Sequence, residues 1–276
     1  FIPAFNGVAV SSVYLKISRP DLDNLKIELE EIKDLKNKSY LNITKNNSSS
    51  NNKKYEKDFV SVSNLNFTYK NKDLTIKDLD LRIKRGEILG ITGDSGAGKS
   101  TFFYMMLGLI VPIGGNIYSY GKNIFADLET WRKKTAYVSQ NSFLLDGTIR
   151  KNIAFDYTEN EKISENKIIS VLKTAEFYTQ VLTYSKGLET QVGHGGIKLS
   201  GGEKQRISIS RALYNSPEII FMDESTSALD VESEKKIITN IKKNYPKTTI
   251  LIIAHRKSTL DLCDRVVTLS SGKFHD

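Results

Sequence analysis

The chain has 276 residues, 39% hydrophobic and 26% charged, the balance of a globular protein that can bury a core. No apolar run reaches the roughly 18 residues of a membrane-crossing helix, and the single cysteine, Cys263, excludes an intrachain disulfide. The net charge of +8 is scattered rather than gathered into a block of Lys and Arg, which favours a solvated basic surface over a nucleic-acid groove.

The opening, Phe1-Ile2-Pro3-Ala4-Phe5, lacks the basic flank of a signal peptide and an initiating Met, so the chain is expected to be part of something longer. Residues 1–38 then turn helical in pattern. Pro20-Asp21 suits a helix start, and Leu22, Leu25, Leu29 and Ile32 recur at spacings of three and four. That stripe fits equally a short helix packed on its own domain and a helix connecting to a further segment. Residues 39–57 include the Asn/Ser/Lys-rich run from Asn42 to Lys57, too poor in apolar groups to offset its ordering entropy, and are predicted to be a flexible linker. Residues 58–276 are predicted to be the folded domain.

Within it, Val60–Tyr69 and Leu79–Ile83 alternate as half-buried strands, and Ile88–Thr92 is a short apolar run. Gly93-Asp94-Ser95-Gly96-Ala97-Gly98-Lys99-Ser100-Thr101 follows, fitting G-x-x-x-x-G-K-[ST] between a strand and a predicted helix, Lys99–Leu109. Glycines let the loop curl so that successive N–H groups face one phosphate cluster, and the helix N-terminus adds positive potential. Lys99 is then placed for the β- and γ-phosphates and Ser100 for Mg²⁺. Taken alone, such a loop fits kinases, GTPases and helicases as well as transport ATPases.

Helices are predicted at Asn166–Ala175, Gly202–Tyr214 and Ser233–Lys243, and buried strands at Ile219–Met222 and Thr249–Ala254. Their alternation predicts an α/β domain. Asp223 and Glu224 end the first of these strands, where ligands bind in open α/β sheets. The pleat aims successive side chains oppositely, so the two acids are given different roles: Asp223 on Mg²⁺, Glu224 orienting and deprotonating water. Ser200-Gly201-Gly202 offers a hydroxyl cap and bare backbone N–H groups at a second helix start, a second anion site far from the first in sequence.

Leu199-Ser200-Gly201-Gly202-Glu203-Lys204-Gln205-Arg206 resembles the signature motif of ABC ATPases. The resemblance spans residues 58–274. Tyr69 resembles the adenine-stacking aromatic, Gln140 in Tyr137-Val138-Ser139-Gln140 the Q-loop, Ser227-Ala228-Leu229-Asp230 the D-loop, and His255 the switch histidine beside the γ-phosphate. It implies a P-loop NTPase fold with a mostly parallel sheet, an antiparallel β subdomain and a helical signature subdomain at about 141–213. It also implies ATP hydrolysis with Mg²⁺ held by Ser100, Gln140 and Asp223. Two copies would pair head to tail, each ATP lying between the phosphate loop of one and Ser200-Gly201-Gly202 of the other, with Asp230 of the D-loop also among the nucleotide-binding residues. The family more often carries Gln where Glu203 stands, a position that usually lies behind the phosphate contact. Trp131 and Cys263 are expected to be structural, His194 and His275 to lie at the surface.

Leu145–Ile153 and Thr190–Gly196 resemble exporter subunits, and Phe1–Ile17 is similar to the cytosolic end of a last membrane helix in flippases of lipid-linked oligosaccharides. The resemblance therefore implies a fused transmembrane domain, a paired half that is identical or related, no nucleic-acid partner, and a place on the cytoplasmic face of a bacterial inner membrane. A soluble ABC ATPase acting on nucleic acid or ribosomes is the alternative, although such proteins usually carry a coiled-coil insertion or a second cassette. A P-loop kinase is the third reading, and the signature motif has no role in one.

Overall fold

The computed structural model describes residues 58–69, 75–155, 163–193, 195–224 and 228–275. The helix expected within 1–38, the linker expected at 39–57, His194 and Ser227 lie outside them. In chain order the elements are β1 (Val60–Phe67), β2 (Ile76–Ile83), β3 (Ile88–Thr92), α1 (Lys99–Met106), β4 (Gly114–Ser119), β5 (Lys122–Asn123), α2 (Leu128–Lys133) and β6 (Thr135–Val138). Then come β7 (Gly147–Thr148), α3 (Ile149–Ala154), α4 (Glu165–Thr174), α5 (Tyr178–Thr183), β8 (Gln191–Val192) and α6 (Gly201–Tyr214). The chain ends with β9 (Ile219–Asp223), α7 (Val231–Asn244), β10 (Thr249–Ile253), α8 (Lys257–Leu260), β11 (Arg265–Ser270) and β12 (Lys273–His275).

The central sheet runs β12-β11-β3-β10-β9-β6. Every neighbouring pair is parallel except β11 with β12. All five residues of β9 and of β10 are buried, as are the first four of β3. Continuous Ile, Leu, Phe and Met runs form strands here because both faces are covered and neither needs a polar side. Strands β3, β9 and β10, parallel neighbours in this sheet, deliver their C-terminal ends to one edge, and the segments that follow them carry the phosphate loop, Glu224 and His255.

A second sheet, β2-β1-β4-β5, is antiparallel. In β2 the inward set is Ile76, Leu79, Leu81 and Ile83, with Lys77, Asp78, Asp80 and Arg82 outward. The predicted alternation begins only at Leu79 because of a bulge: Asp78 has φ of 41°, and the register with β1 shifts between Leu65 and Phe67. Asn66 stabilises the irregularity, accepting from the Asp78 amide at 3.0 Å and donating to its carboxylate at 3.2 Å.

Helix α1 stops at Met106 rather than at the predicted Leu109. Gly108 turns left-handed (φ 67°), and the Leu109 amide reaches back to the Tyr104 carbonyl at 2.8 Å, a common way to close a helix. The buried Trp131 indole donates to the freed Met106 carbonyl at 2.7 Å, which accounts for it as a structural residue. Cys263 is structural too: half-buried, its thiol donates to Thr259 O at 3.5 Å, and burial pushes its pKa up to about 12. His275 is exposed on β12, as expected.

Helices α3 to α6 share one apolar core, with Ile149, Ile153, Ile168, Val171, Leu172, Val181, Ile207 and Leu213 all fully or nearly fully buried. The fully buried Asn152 ties this region together. Its carboxamide accepts from the Leu145 amide at 3.0 Å and from Arg211 at 2.9 Å, and donates to Leu145 O at 2.8 Å. Asn152→Ala would strand these groups away from water and should destabilise the domain by about 2–3 kcal/mol. Urea unfolding checks this; a loss below about 0.5 kcal/mol would mean that water replaces the bonds.

Candidate active site

The phosphate loop leaves β3 through Gly93, whose φ is 142°. A Cβ there would stand 2.2 Å from the Leu269 carbonyl, so only glycine lets the loop pass β11 this closely. Gly96 and Gly98 are also left-handed, at φ of 81° and 102°, and the Ala97 amide closes a turn onto Asp94 O at 3.1 Å. Lys99, 7% exposed, starts α1 and donates from Nζ to Gly93 O at 2.7 Å and to Asp94 O at 2.9 Å. An ammonium has three protons, so one donor remains for an anion in the cradle. Tyr69 projects at the cleft edge, 40% exposed; its ring meets Phe67 edge-on, and its hydroxyl lies 3.2 Å from Thr101 Oγ1.

Asp223 is buried at the end of β9. Burial raises its pKa, opposed by the hydroxyls of Ser100 and Tyr137; the Tyr137 hydroxyl donates to Oδ2 at 3.1 Å. Glu224 follows with φ of 45°, a left-handed backbone that a non-glycine residue adopts only under constraint. Its amide is held by Ile253 O of β10 at 3.1 Å. The carboxylate is gripped from two sides: Gln140 Nε2 donates to Oε2 at 2.7 Å, and His255 Nε2 lies 3.0 Å from Oε1. The strain at Glu224 swings its side chain away from Asp223 and towards this pair. A carboxylate so placed can take a proton from water.

Tyr69, part of the phosphate loop, Glu224 and His255 border one cleft of about 330 Å³, while Asp223 and Gln140 do not line it but are bonded to its walls at Ser100 and Glu224. The cleft is lined by Tyr69, Thr75, Lys99, Ser100, Thr101, Glu224 and His255, with Ser95, Gly96 and Gly98 of the loop. Among the described residues no cluster of three or more His, Cys, Asp or Glu could hold a metal by itself. The Ser100 hydroxyl and the Asp223 carboxylate are nonetheless neighbouring hard-oxygen donors. That is the donor set of Mg²⁺, which completes its shell with phosphates and water.

Ser200, Gly201, Gly202 and Asp230 do not line the cleft. Ser200 caps α6 in a capping box with Glu203. Gly201 and Gly202 pack tightly on the D-loop segment: a Cβ on Gly201 would lie 3.2 Å from Ala228 Cβ, and one on Gly202 3.4 Å from Ala228 O. Gln205 accepts from the Ala228 amide at 3.2 Å. Asp230 caps α7, accepting from the Ser233 amide at 2.8 Å, a bond that holds its carboxyl below the usual range. Arg256, beside His255, donates to Leu229 O at 2.9 Å and joins the segment after β10 to the one before α7.

The site contains residues that sequence reasoning passes over: Tyr137, Thr75 and Arg256. The last follows His255 directly. Tyr137 sits three residues before Gln140, but its reach to Asp223 depends on β6 lying beside β9 with Tyr137 opposite Phe221, which no local pattern reveals.

Comparison with known proteins agrees with this geometry. The ABC transporter family profile matches residues 76–227, more than half of the chain. The leukotoxin export ATP-binding protein LtxB of Aggregatibacter actinomycetemcomitans is 38% identical over 217 residues, covering 78% of this chain and 30% of that protein. The alpha-hemolysin translocation ATP-binding protein HlyB of Escherichia coli is likewise 38% identical over 217 residues, with the same coverage. A solved structure of a bacterial Atm1-family ABC exporter with ATP bound superposes with a TM-score of 0.73 at 32% identity, over 80% of this chain and 38% of that one. The chain thus spans about a third of the length of the curated relatives it matches. Phosphate cradle, acidic strand end, capped signature helix and these matches lead to one assignment: the chain belongs to the ABC transporter family, as one of its ATP-binding, ATP-hydrolysing domains.

Proposed function

We propose that this chain is the motor half of a bacterial membrane exporter, and that two copies close head to tail on two MgATP. The observation that carries the reading is a division of labour. The phosphate loop, Glu224 and His255 border one cleft, while the anion-binding tip Ser200-Gly201-Gly202 lies elsewhere on the same chain. A nucleotide that needs both must take the second from another copy, and a head-to-tail pair with two-fold symmetry satisfies both copies at once.

In this reading Tyr69 stacks on adenine and residues 93–101 wrap the phosphates. Ser100, Asp223 and the Gln140 carboxamide oxygen hold Mg²⁺, which neutralises charge on the phosphates when bound. Glu224 orients the attacking water and takes its proton, while His255 holds Glu224 and faces the γ-phosphate. Ser200, Gly201, Gly202 and Asp230 close the site from the partner. Residues 58–276 form the ATPase domain, with its helical part at about 141–213. Residues 1–57 join it to a fused transmembrane half at the cytoplasmic face of the inner membrane. Supporting an exporter are the export and translocation roles carried in the names of LtxB and HlyB, and the Atm1-family structure. A hollow of about 680 Å³ two residues past Gln140, walled by Phe143, Leu145, Ile197 and Leu199 together with Asp146, Lys198 and Lys204, offers the membrane half a seat of mixed polarity. A lipid-linked cargo is favoured by the similarity of Phe1–Ile17 to flippases.

The head-to-tail arrangement has a direct test. Lys99→Ala and Ser200→Arg chains should each be inactive. Mixed, they form pairs in which one site takes its phosphate loop from the Ser200→Arg chain and its signature from the Lys99→Ala chain, both intact. The mixture should recover about a quarter of wild-type turnover, the share of intact sites in a random pairing. No recovery would show that each site is built within a single chain.

A further inference from the structure

We propose that Glu203 restrains closure: it competes with the partner's γ-phosphate for Ser200 and for the helix N-terminus, and so limits how tightly two ATP-loaded copies hold together. The inference rests on the shared-site reading above and concerns the same site. A serine hydroxyl has one proton to give. Here Ser200 Oγ gives it to Glu203 Oε2 at 2.8 Å, while the Ser200 amide donates to the same oxygen at 2.7 Å. The other carboxylate oxygen accepts from the Tyr184 hydroxyl at 2.8 Å, so the group is fixed at both ends. Ser200 can offer a phosphate its proton only by leaving a charge-assisted bond, stronger than a neutral one.

Charge acts in the same direction. The first turn of α6 owes its anion affinity to unpaired N–H groups and the helix dipole, and a carboxylate in that turn cancels part of the potential. Arg206, one turn along, offsets part of that charge, but the carboxylate still holds the Ser200 proton, and the Arg206 guanidinium is itself bonded to Glu176 O and the Ser233 hydroxyl. The helix start does not require the charge, since Gln closes a capping box as well as Glu does. The negative charge is therefore an addition to what folding needs, placed one side chain behind the proposed phosphate contact. It makes Glu203 a positioning residue that sets how readily the pair opens.

The test uses the 276-residue chain carrying Glu224→Gln, so that closed pairs accumulate, with and without Glu203→Gln. Sedimentation velocity across an ATP titration reads the concentration that gives half dimer. Glu203→Gln should lower it by about fivefold per site, what one charge in a helix's first turn commands. The gain should shrink as salt rises from roughly 50 to 500 mM, a dependence that a purely structural cap would not show. Glu203→Ala, which loses the cap as well as the charge, should melt earlier than either, separating helix stability from charge. An unchanged or higher ATP requirement for Glu203→Gln overturns the proposal and leaves the shared site standing. Monomers at saturating ATP, whether or not Glu203→Gln is present, would bring down the shared-site reading and this inference together.

Discussion

Glu224→Gln should lower steady-state ATP turnover by about 10²- to 10⁴-fold, the contribution of a positioned general base, while nucleotide still binds. Glu224 directly follows the buried strand β9, and its left-handed backbone turns its carboxylate from Asp223 towards Gln140 and His255. Gln matches its shape and still accepts the Gln140 bond, so the local structure should survive; what disappears is the capacity to take a proton from water. Loss of turnover with unchanged ATP affinity is therefore expected, together with ATP-dependent pairing that outlasts the assay. Single-turnover hydrolysis and calorimetry measure the two halves separately. Turnover within a factor of about ten of wild type would remove Glu224 from the chemistry and shift the role to water held by His255 alone.

Lys99→Ala acts one step earlier and should weaken ATP binding by about a hundred- to a thousandfold, corresponding to roughly 3–4 kcal/mol for a buried ammonium that bonds to phosphate. Lys99 is almost fully buried, and its Nζ is braced by Gly93 O and Asp94 O, which aim it into the loop it closes. Such bracing matters because a free lysine side chain loses rotamer entropy on binding, whereas this one is already ordered. Losing the side chain also leaves two carbonyls without their donor, so a thermal melt should accompany the titration. A variant that melts like wild type yet binds ATP equally well would show that the loop amides alone hold the phosphates.

Much of this protein can be read from the order of its residues. The phosphate loop is legible because curvature, bare amides and a lysine are needed at fixed short spacings, and a helix must follow. The strands at Ile88, Ile219 and Thr249 match their predicted spans nearly to the residue, since unbroken apolar runs have few other uses. Ser200 is legible as a helix cap from its position alone, and Asp230 caps α7, which starts at Val231, two residues before the predicted start at Ser233.

Other features depend on chain segments meeting across long separations. The bulge at Asp78, the early end of α1 at Gly108, and strands β4 and β6 reflect neighbours that no local window contains. Whether the Glu203 carboxylate reaches Ser200 is open in the sequence, and the Tyr184 hydroxyl that fixes it comes from the end of α5. The grip of Gln140 and His255 on Glu224, and of Tyr137 on Asp223, requires β6, β9 and β10 to lie side by side in register. The residues by themselves determined which chemical groups are present and which short loops carry them, because periodicity and turn geometry act over a few residues. Only the tertiary structure decided which of those groups touch, because contact across strands is set by register and packing over the whole sheet.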